Sequence, residues 1–245
     1  MNISWLTRDD LMKIASNKII PTHTVLDVGA GIRPQTIFIP TVHIIIEPYM
    51  AYIEKIMGRQ NEIPRKIFLN GTWDKIMPFF PDKSVDTVFA FDVIEHFERE
   101  DGLRFIKEAE RVAKTQIIIF TPLGLYPQSY EPGNEMDRWG MGGGYWQSHR
   151  SGWEPKDFEG DWEFLVCKDF HSTDQHDKVL DQSFGAFWAI KTIKNETAPI
   201  EERHHISELT NTFLMRFIYE RIIFEVKRKI QKLILKLKKK IDKFK

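Results

Sequence analysis

The sequence has a single cysteine, Cys167, in 245 residues. That excludes an intramolecular disulfide and points to a reducing compartment, with a cytoplasmic protein as the expectation. Long apolar runs are missing too: none approaches the roughly 18–20 residues that a transmembrane helix needs. The first ten residues, Met1 to Asp10, lack a basic region followed by an apolar stretch, so no signal peptide is expected. Net charge is also absent, 35 basic residues balancing 35 acids, but the balance is uneven along the chain. Residues 227–245 hold ten Lys/Arg and one acid, Asp242, which leaves the remainder acidic. An acidic body repels phosphate and argues against nucleic acid as a partner.

With 42% hydrophobic residues, the chain can bury one substantial core, which suits one domain with a small appendage. Its most informative stretch is Val25-Leu26-Asp27-Val28-Gly29-Ala30-Gly31. Apolar β-formers followed by two glycines read as a buried strand entering a tight turn that something can approach closely. A second apolar run, Val42-His43-Ile44-Ile45-Ile46, ends in Glu47. A glycine turn after one strand and an acid at the tip of the next is the nucleotide-binding arrangement of open α/β sheets. The carboxylate there takes the two ribose hydroxyls. The dinucleotide fingerprint wants a third glycine where this chain has Pro34, and Arg33-Pro34 removes both close packing and an amide. A ligand with a ribose but no pyrophosphate fits better.

Further along, helical spacing predicts helices over residues 8–18, 49–57 and 100–113. Strands are predicted at Lys66–Leu69, Val85–Phe91 and Gln116–Phe120, the last almost wholly apolar as a central parallel strand should be. Strands alternating with helices predict βαβ units and a parallel sheet. Two later strands, near residues 163–168 and 186–191, are joined by a polar loop and suit an antiparallel pair at one edge.

On Asp27, Gly29, Gly31 and Glu47, with Phe91-Asp92-Val93-Ile94-Glu95-His96 after the fourth of these strands, the sequence resembles the class I S-adenosylmethionine-dependent methyltransferases. The resemblance implies a Rossmann-like sheet of seven strands, mostly parallel, with the last one antiparallel. It implies that Asp27, Gly29 and Gly31 form the cofactor loop, that Glu47 is the ribose ligand, and that Asp92 touches cofactor or acceptor. The family usually carries an acid after its third strand for the adenine amino group. Here the stretch is Asn70-Gly71-Thr72-Trp73-Asp74, so Thr72 with Trp73 packing on the ring, or Asp74 reaching back, would replace it. With Gly31-Ile32-Arg33-Pro34-Gln35 and His149-Arg150-Ser151-Gly152-Trp153, the chain is similar to methyltransferase-domain proteins of glycan and cell-envelope gene clusters.

A loop of about thirty residues, 121–153, follows the fifth strand; loops that long inside a domain are usually lids or binding loops. It carries Tyr126, Tyr130, Trp139, Gly142-Gly143-Gly144, Tyr145, Trp146, His149, Arg150 and Trp153. It reads as an acceptor lid, with a loop that merely completes the core as the alternative. A hydroxyl acceptor has a high pKa and wants a base, for which His149 is the first candidate and His96 the second. For His96 a local cap or packing role competes. No tight cluster of acids or histidines in the sequence demands a metal. His171, His176, His204 and His205 lie in polar stretches and read as exposed.

The domain expected over residues 1–200 is followed by a basic amphipathic helix over 201–245. There Ile223, Val226, Ile230, Leu233, Ile234, Leu237, Ile241 and Phe244 share one arc. Docking on the chain's own domain, self-association, or an anionic membrane surface would each occupy that arc, the last making the protein peripheral on the inner face of the membrane. The function expected is methyl transfer from S-adenosylmethionine to a small or lipid-linked acceptor, at a hydroxyl oxygen and with sugars included. The alternative is a non-catalytic cofactor binder or a membrane-associated scaffold with a vestigial nucleotide pocket.

Overall fold

Ile117, Ile118 and Ile119 are fully buried, which places the apolar run of the sequence at the centre of a mixed sheet. Burying each such side chain stabilises the fold by about 1.5–3 kcal/mol. The computed structural model describes residues 2–59, 66–130, 136–175 and 178–193. In chain order the strands are β1 (Asn2–Trp5), β2 (Thr24–Val28), β3 (Val42–Glu47), β4 (Lys66–Asn70), β5 (Val85–Phe91), β6 (Ala113–Leu123), β7 (Glu163–Thr173) and β8 (Val179–Thr192). The helices are α1 (Arg8–Lys18), α2 (Met50–Met57), α3 (Trp73–Ile76), α4 (Arg99–Val112) and α5 (Gly144–Gln147). The strand order is β1-β7-β8-β6-β5-β2-β3-β4. All pairings are parallel except those of β8, which runs antiparallel to both β6 and β7.

The sheet therefore has eight strands, not seven. The additional one, β1, is an edge strand of four residues that adds its backbone to β7. Its residues are mostly exposed, so no apolar alternation marks it in the sequence. β7 and β8 are also longer than their apolar cores at 163–168 and 186–191, because β8 starts with the exposed, polar stretch Val179–Ser183.

The described residues other than Thr36–Phe38 belong to one unit, which spans 1–35 and 39–198. The second unit is Thr36–Phe38 with Pro199–Lys245, and the basic amphipathic helix expected over 201–245 lies outside the described residues. Among the described residues no helix is long and apolar enough to cross a membrane.

α4 buries Phe105, Ile106, Ala109 and Val112, one helical face, in the main core. The same helix carries Gly102, where a Cβ would lie 2.2 Å from Cζ2 and 2.7 Å from Cη2 of Trp153. That indole is fully buried and cannot swing away, since its Nε1 donates to Ile94 O (3.1 Å) and Ser151 Oγ (2.9 Å). A mid-helix Gly→Ala change ordinarily gains about 0.5–1 kcal/mol. Overpacking at this distance costs about 1–3 kcal/mol or more and outweighs it. Gly102→Ala is expected to lower the melting temperature by several degrees in a thermal scan. An unchanged or higher value would show that Trp153 yields.

Candidate active site

The carboxyl ends of β2 and β3 meet through their main chains. Gly29 N donates to Ile46 O (2.8 Å), and Gly31 N donates to Glu47 Oε2 (2.9 Å). Both glycines have positive φ, +66° and +55°, where a side chain would be strained. At Gly29 a Cβ would also lie 2.9 Å from Val93.

Glu47 is 3% exposed, and its second oxygen, Oε1, accepts from Tyr49 N (2.9 Å). Burial raises its pKa to about 7, against the two amide hydrogen bonds that lower it; Asp27 raises it further. Each oxygen has accepted one N–H and retains a lone pair, so the carboxylate can take two more donors.

Asp27 does not face that space. Its Oδ2 accepts from Gln35 N (2.7 Å) and from His43 Nε2 (3.0 Å), and both side chains of the pair are buried. The carboxylate thus pins the far end of the glycine loop and reaches a ligand only through the loop's shape.

After β4, Thr72 starts α3, and its buried Oγ1 has no hydrogen-bond partner among the described residues. Trp73 was expected on the ligand's ring, but its own ring packs against Phe97 (5.9 Å between centroids) and Phe105 (5.5 Å) in the core. Asp74 is exposed within α3.

Asp92, at the tip of β5, is a non-glycine residue with φ +50°. Such a conformation costs of order 1–3 kcal/mol and concentrates at functional sites. Its amide donates to Phe120 O (2.9 Å), tying the tips of β5 and β6 together. A single 3₁₀ turn, Ile94–His96, follows.

The 121–153 segment divides into three parts. Its first residues extend β6 to Leu123, and its last, Trp153, belongs to the core. The middle folds around Asp137, which is 6% exposed. Asp137 Oδ1 accepts from Trp139 N (2.8 Å) and Met141 N (2.9 Å), while Oδ2 accepts from Gly143 N (3.0 Å) and the Tyr52 hydroxyl. Burial first, and Asp137 second, hold that hydroxyl protonated well above the ordinary tyrosine range. Tyr49 donates to Met141 O (2.5 Å), and Trp139 stands edge-on to Tyr52 (5.2 Å) and against Gly31. The segment is therefore clamped onto α2 and the glycine loop.

Beyond α5 the chain returns to the 3₁₀ turn. Glu95 O accepts from Arg150 N (2.7 Å) and Ser151 N (3.1 Å). The Arg150 guanidinium, expected to meet an anion or hydroxyl, instead braces the carbonyls of His96 (2.6 Å), Ser148 (3.2 Å) and Tyr145 (2.6 Å).

This return brings His149 to His96, with ring centroids 4.9 Å apart. His96 Nδ1 donates to Ser148 O (3.1 Å) and His149 Nδ1 to Tyr126 O (2.6 Å). A carbonyl only accepts, so each ring carries its hydrogen on Nδ1 and keeps a lone pair on Nε2. Burial pushes the pKa of His96 down to about 3 and that of His149 to about 4. Glu95 completes the group: its Oε2 accepts from Thr121 Oγ1 (2.9 Å), and burial, then Asp92, raises its pKa well above the usual carboxylate range.

Neither the Glu95–His149 proximity nor the Asp137 hub has a linear signature, because both depend on where a long loop lands. An acid next to a histidine just past the apolar strand β5 was the available signal for Glu95. His171, expected at the surface, stacks on Tyr126 (4.7 Å, 15°). His176, His204 and His205 lie outside the described residues.

The family model described as a methyltransferase domain matches residues 26–120, from within β2 to within β6. No curated protein matches the chain. Among solved structures, the YcgJ protein from Bacillus subtilis shares 13% identity over 75% of this chain and 97% of that one, with a TM-score of 0.48. A SAM-dependent methyltransferase from Archaeoglobus fulgidus shares 15% over 74% and 90%, TM-score 0.44. Phosphoethanolamine N-methyltransferase 1 from Haemonchus contortus, in complex with phosphoethanolamine and S-adenosylhomocysteine, shares 14% over 86% of this chain and 47% of that one, TM-score 0.43. The stretch that matches the methyltransferase-domain model holds the glycine turn, Glu47 and the Asp92–His96 turn, all carried on a mixed α/β sheet.

Proposed function

We propose that the protein methylates a hydroxyl oxygen of a small or lipid-linked acceptor, with sugar hydroxyls among those that fit. The observation that carries this reading is the His96–His149 pair: two imidazoles beside the tip of β5, each with an Nε2 lone pair and its Nδ1–H tied to a carbonyl. Such a pair suits a neutral O–H donor.

The cofactor supplies a methyl group on a sulfonium whose C–S bond breaks with its electron pair remaining on sulfur. The residues present fit it. Glu47 has two lone pairs left for the ribose hydroxyls, the glycines leave the loop open to close approach, and the unpartnered Thr72 Oγ1 offers a contact for the adenine. Asp27 shapes the loop, and Asp92 faces the methionine part or the acceptor. Trp73 supports this end from the core and not by stacking.

His149 accepts the hydrogen bond of the acceptor hydroxyl, with His96 as the second candidate, and the proton passes on to water as the new C–O bond forms. In-line positioning supplies most of the acceleration. The segment clamped by Asp137 serves as the acceptor lid. Its exposed Met136 and Tyr145, with Leu125, offer apolar contact to a lipid-linked portion. The apolar arc of residues 223–244, with lysines on the remaining face, supports an anionic membrane surface or self-association for the tail.

Formation of S-adenosylhomocysteine over a panel of sugar and lipid-linked alcohols tests this reading. His149→Gln is expected to lower kcat about a hundredfold or more with the best acceptor. Full turnover in that variant would remove His149 from the reaction. Cofactor binding without turnover on any alcohol would overturn the hydroxyl assignment.

A further inference from the structure

One carboxylate oxygen of Glu95 and one ring nitrogen each of His96 and His149 lie within 4.8 Å of one another. Three observations separate this group from an incidental polar cluster. Glu95 is 2% exposed, yet its Oε1 has no hydrogen-bond partner among the described residues. A buried carboxylate oxygen is costly to leave unmatched, so one found unmatched points to a missing partner. Next, both imidazoles donate Nδ1–H to main-chain carbonyls, Ser148 O and Tyr126 O. Histidines that ligate metals almost always use their other ring nitrogen this way, which sets the tautomer and aims the free lone pair. Finally, the two segments that supply the ligands are tied by their backbones, through Arg150 N and Ser151 N to Glu95 O. The three groups are positioned before any ligand arrives.

We propose that Glu95, His96 and His149 bind a first-row divalent transition-metal cation. Two imidazole nitrogens and one carboxylate oxygen form a donor set for manganese, iron, cobalt or zinc; magnesium and calcium prefer oxygens alone. Three protein ligands leave a coordination position open. The exposed carboxylate of Asp92 lies close enough for its charge to act on Glu95, which adds to the attraction for a cation.

With the cation bound, both Nε2 lone pairs are taken, so in catalysis the acceptor oxygen occupies the open position in place of its hydrogen bond to His149. The bound hydroxyl then releases its proton to water more readily, and its lone pair forms the C–O bond while the C–S pair stays on sulfur. That role rests on the hydroxyl reading above; binding of the cation does not.

The test uses the full chain, purified with a chelator and dialysed, then titrated with cobalt(II) chloride while visible ligand-field absorption and heat of binding are followed. One cobalt per chain with a clear ligand-field band is expected. The band should be lost in Glu95→Gln and in His149→Gln, and kept in His204→Gln/His205→Gln. Circular dichroism checks each fold. Glu95 is buried, so His149→Gln at its partly exposed position decides if Glu95→Gln does not fold. Absence of a band at saturating cobalt, or an undiminished band in His149→Gln, would overturn the proposal. S-adenosylhomocysteine binding, measured in parallel without metal, separates the two readings: its loss would sink methyl transfer and leave the cobalt site standing.

Discussion

Replacing Glu47 with alanine should remove the thermal stabilisation that S-adenosylhomocysteine confers on the protein. At a hundred times its dissociation constant, a ligand adds about 2.7 kcal/mol to the stability of the wild type. Two ribose hydroxyls donating to one carboxylate make charge-assisted hydrogen bonds of about 1.5–3 kcal/mol each. Losing both raises the dissociation constant by roughly two to four orders of magnitude at about 1.4 kcal/mol per tenfold. The shift in melting temperature should vanish at a ligand concentration that saturates the wild type. A shift of the same size in the variant would show that the ribose binds elsewhere.

The same carboxylate sets a pH dependence. Burial raises its pKa from 4.5 to about 7 in the unliganded fold, so the folded state holds this proton more tightly than the unfolded chain does. Its contribution to stability is therefore complete below pH 4.5 and is lost as pH rises through about 7. Ribose binding has the opposite preference, because only the ionised form accepts both hydroxyls. Affinity for S-adenosylhomocysteine should weaken about tenfold from pH 8 to pH 6, with proton release on binding at the lower pH. Calorimetry in buffers of different ionisation heat reads that proton directly, and a flat profile would place the ionised form outside the binding step.

Asp137→Ala should release the segment it organises. One buried carboxylate accepts three amides, from Trp139, Met141 and Gly143, together with the Tyr52 hydroxyl. Alanine leaves those donors without an acceptor, at about 1–3 kcal/mol for each that stays buried. Opening the segment to water costs less than keeping it closed, so the loss should appear as local opening and not as global unfolding. Hydrogen exchange at Trp139, Met141 and Gly143 is expected to speed up by about a hundredfold or more. The amides of the Ile117–Ile119 strand should keep their rate. Equal acceleration in both would mean that Asp137 holds the whole fold. Unchanged exchange at Gly143 would mean that Tyr49 and Trp139 suffice to hold the segment down.

The elements that could be read from the linear pattern are those in which neighbouring residues decide the outcome. Helix α1 lies at Arg8–Lys18 and strand β5 at Val85–Phe91, as their apolar spacing predicts. The glycine turn and the acid at the tip of the next strand lie side by side because β2 and β3 pair in parallel with Val28 opposite Ile46. By contrast, β1 is an exposed edge strand without a pattern of its own, and its existence depends on the open backbone of β7. Trp73 and Arg150 show the limit at single residues. The side-chain types suited a ring stack and an anion contact, but the core and three backbone carbonyls surrounding them took those groups first.

By itself, then, the sequence determined a Rossmann-like domain with a glycine turn after one strand and an acid at the tip of the next, since period and local turn chemistry are properties of short stretches. Only the tertiary structure decided what the long segment after β6 does. Its path back across α2 and onto the 3₁₀ turn joins Asp137 to Tyr52, and His149 to Glu95 and His96. These are contacts between distant parts of the chain, set by the packing of aromatic rings and by buried hydrogen bonds, and no spacing along the sequence encodes them.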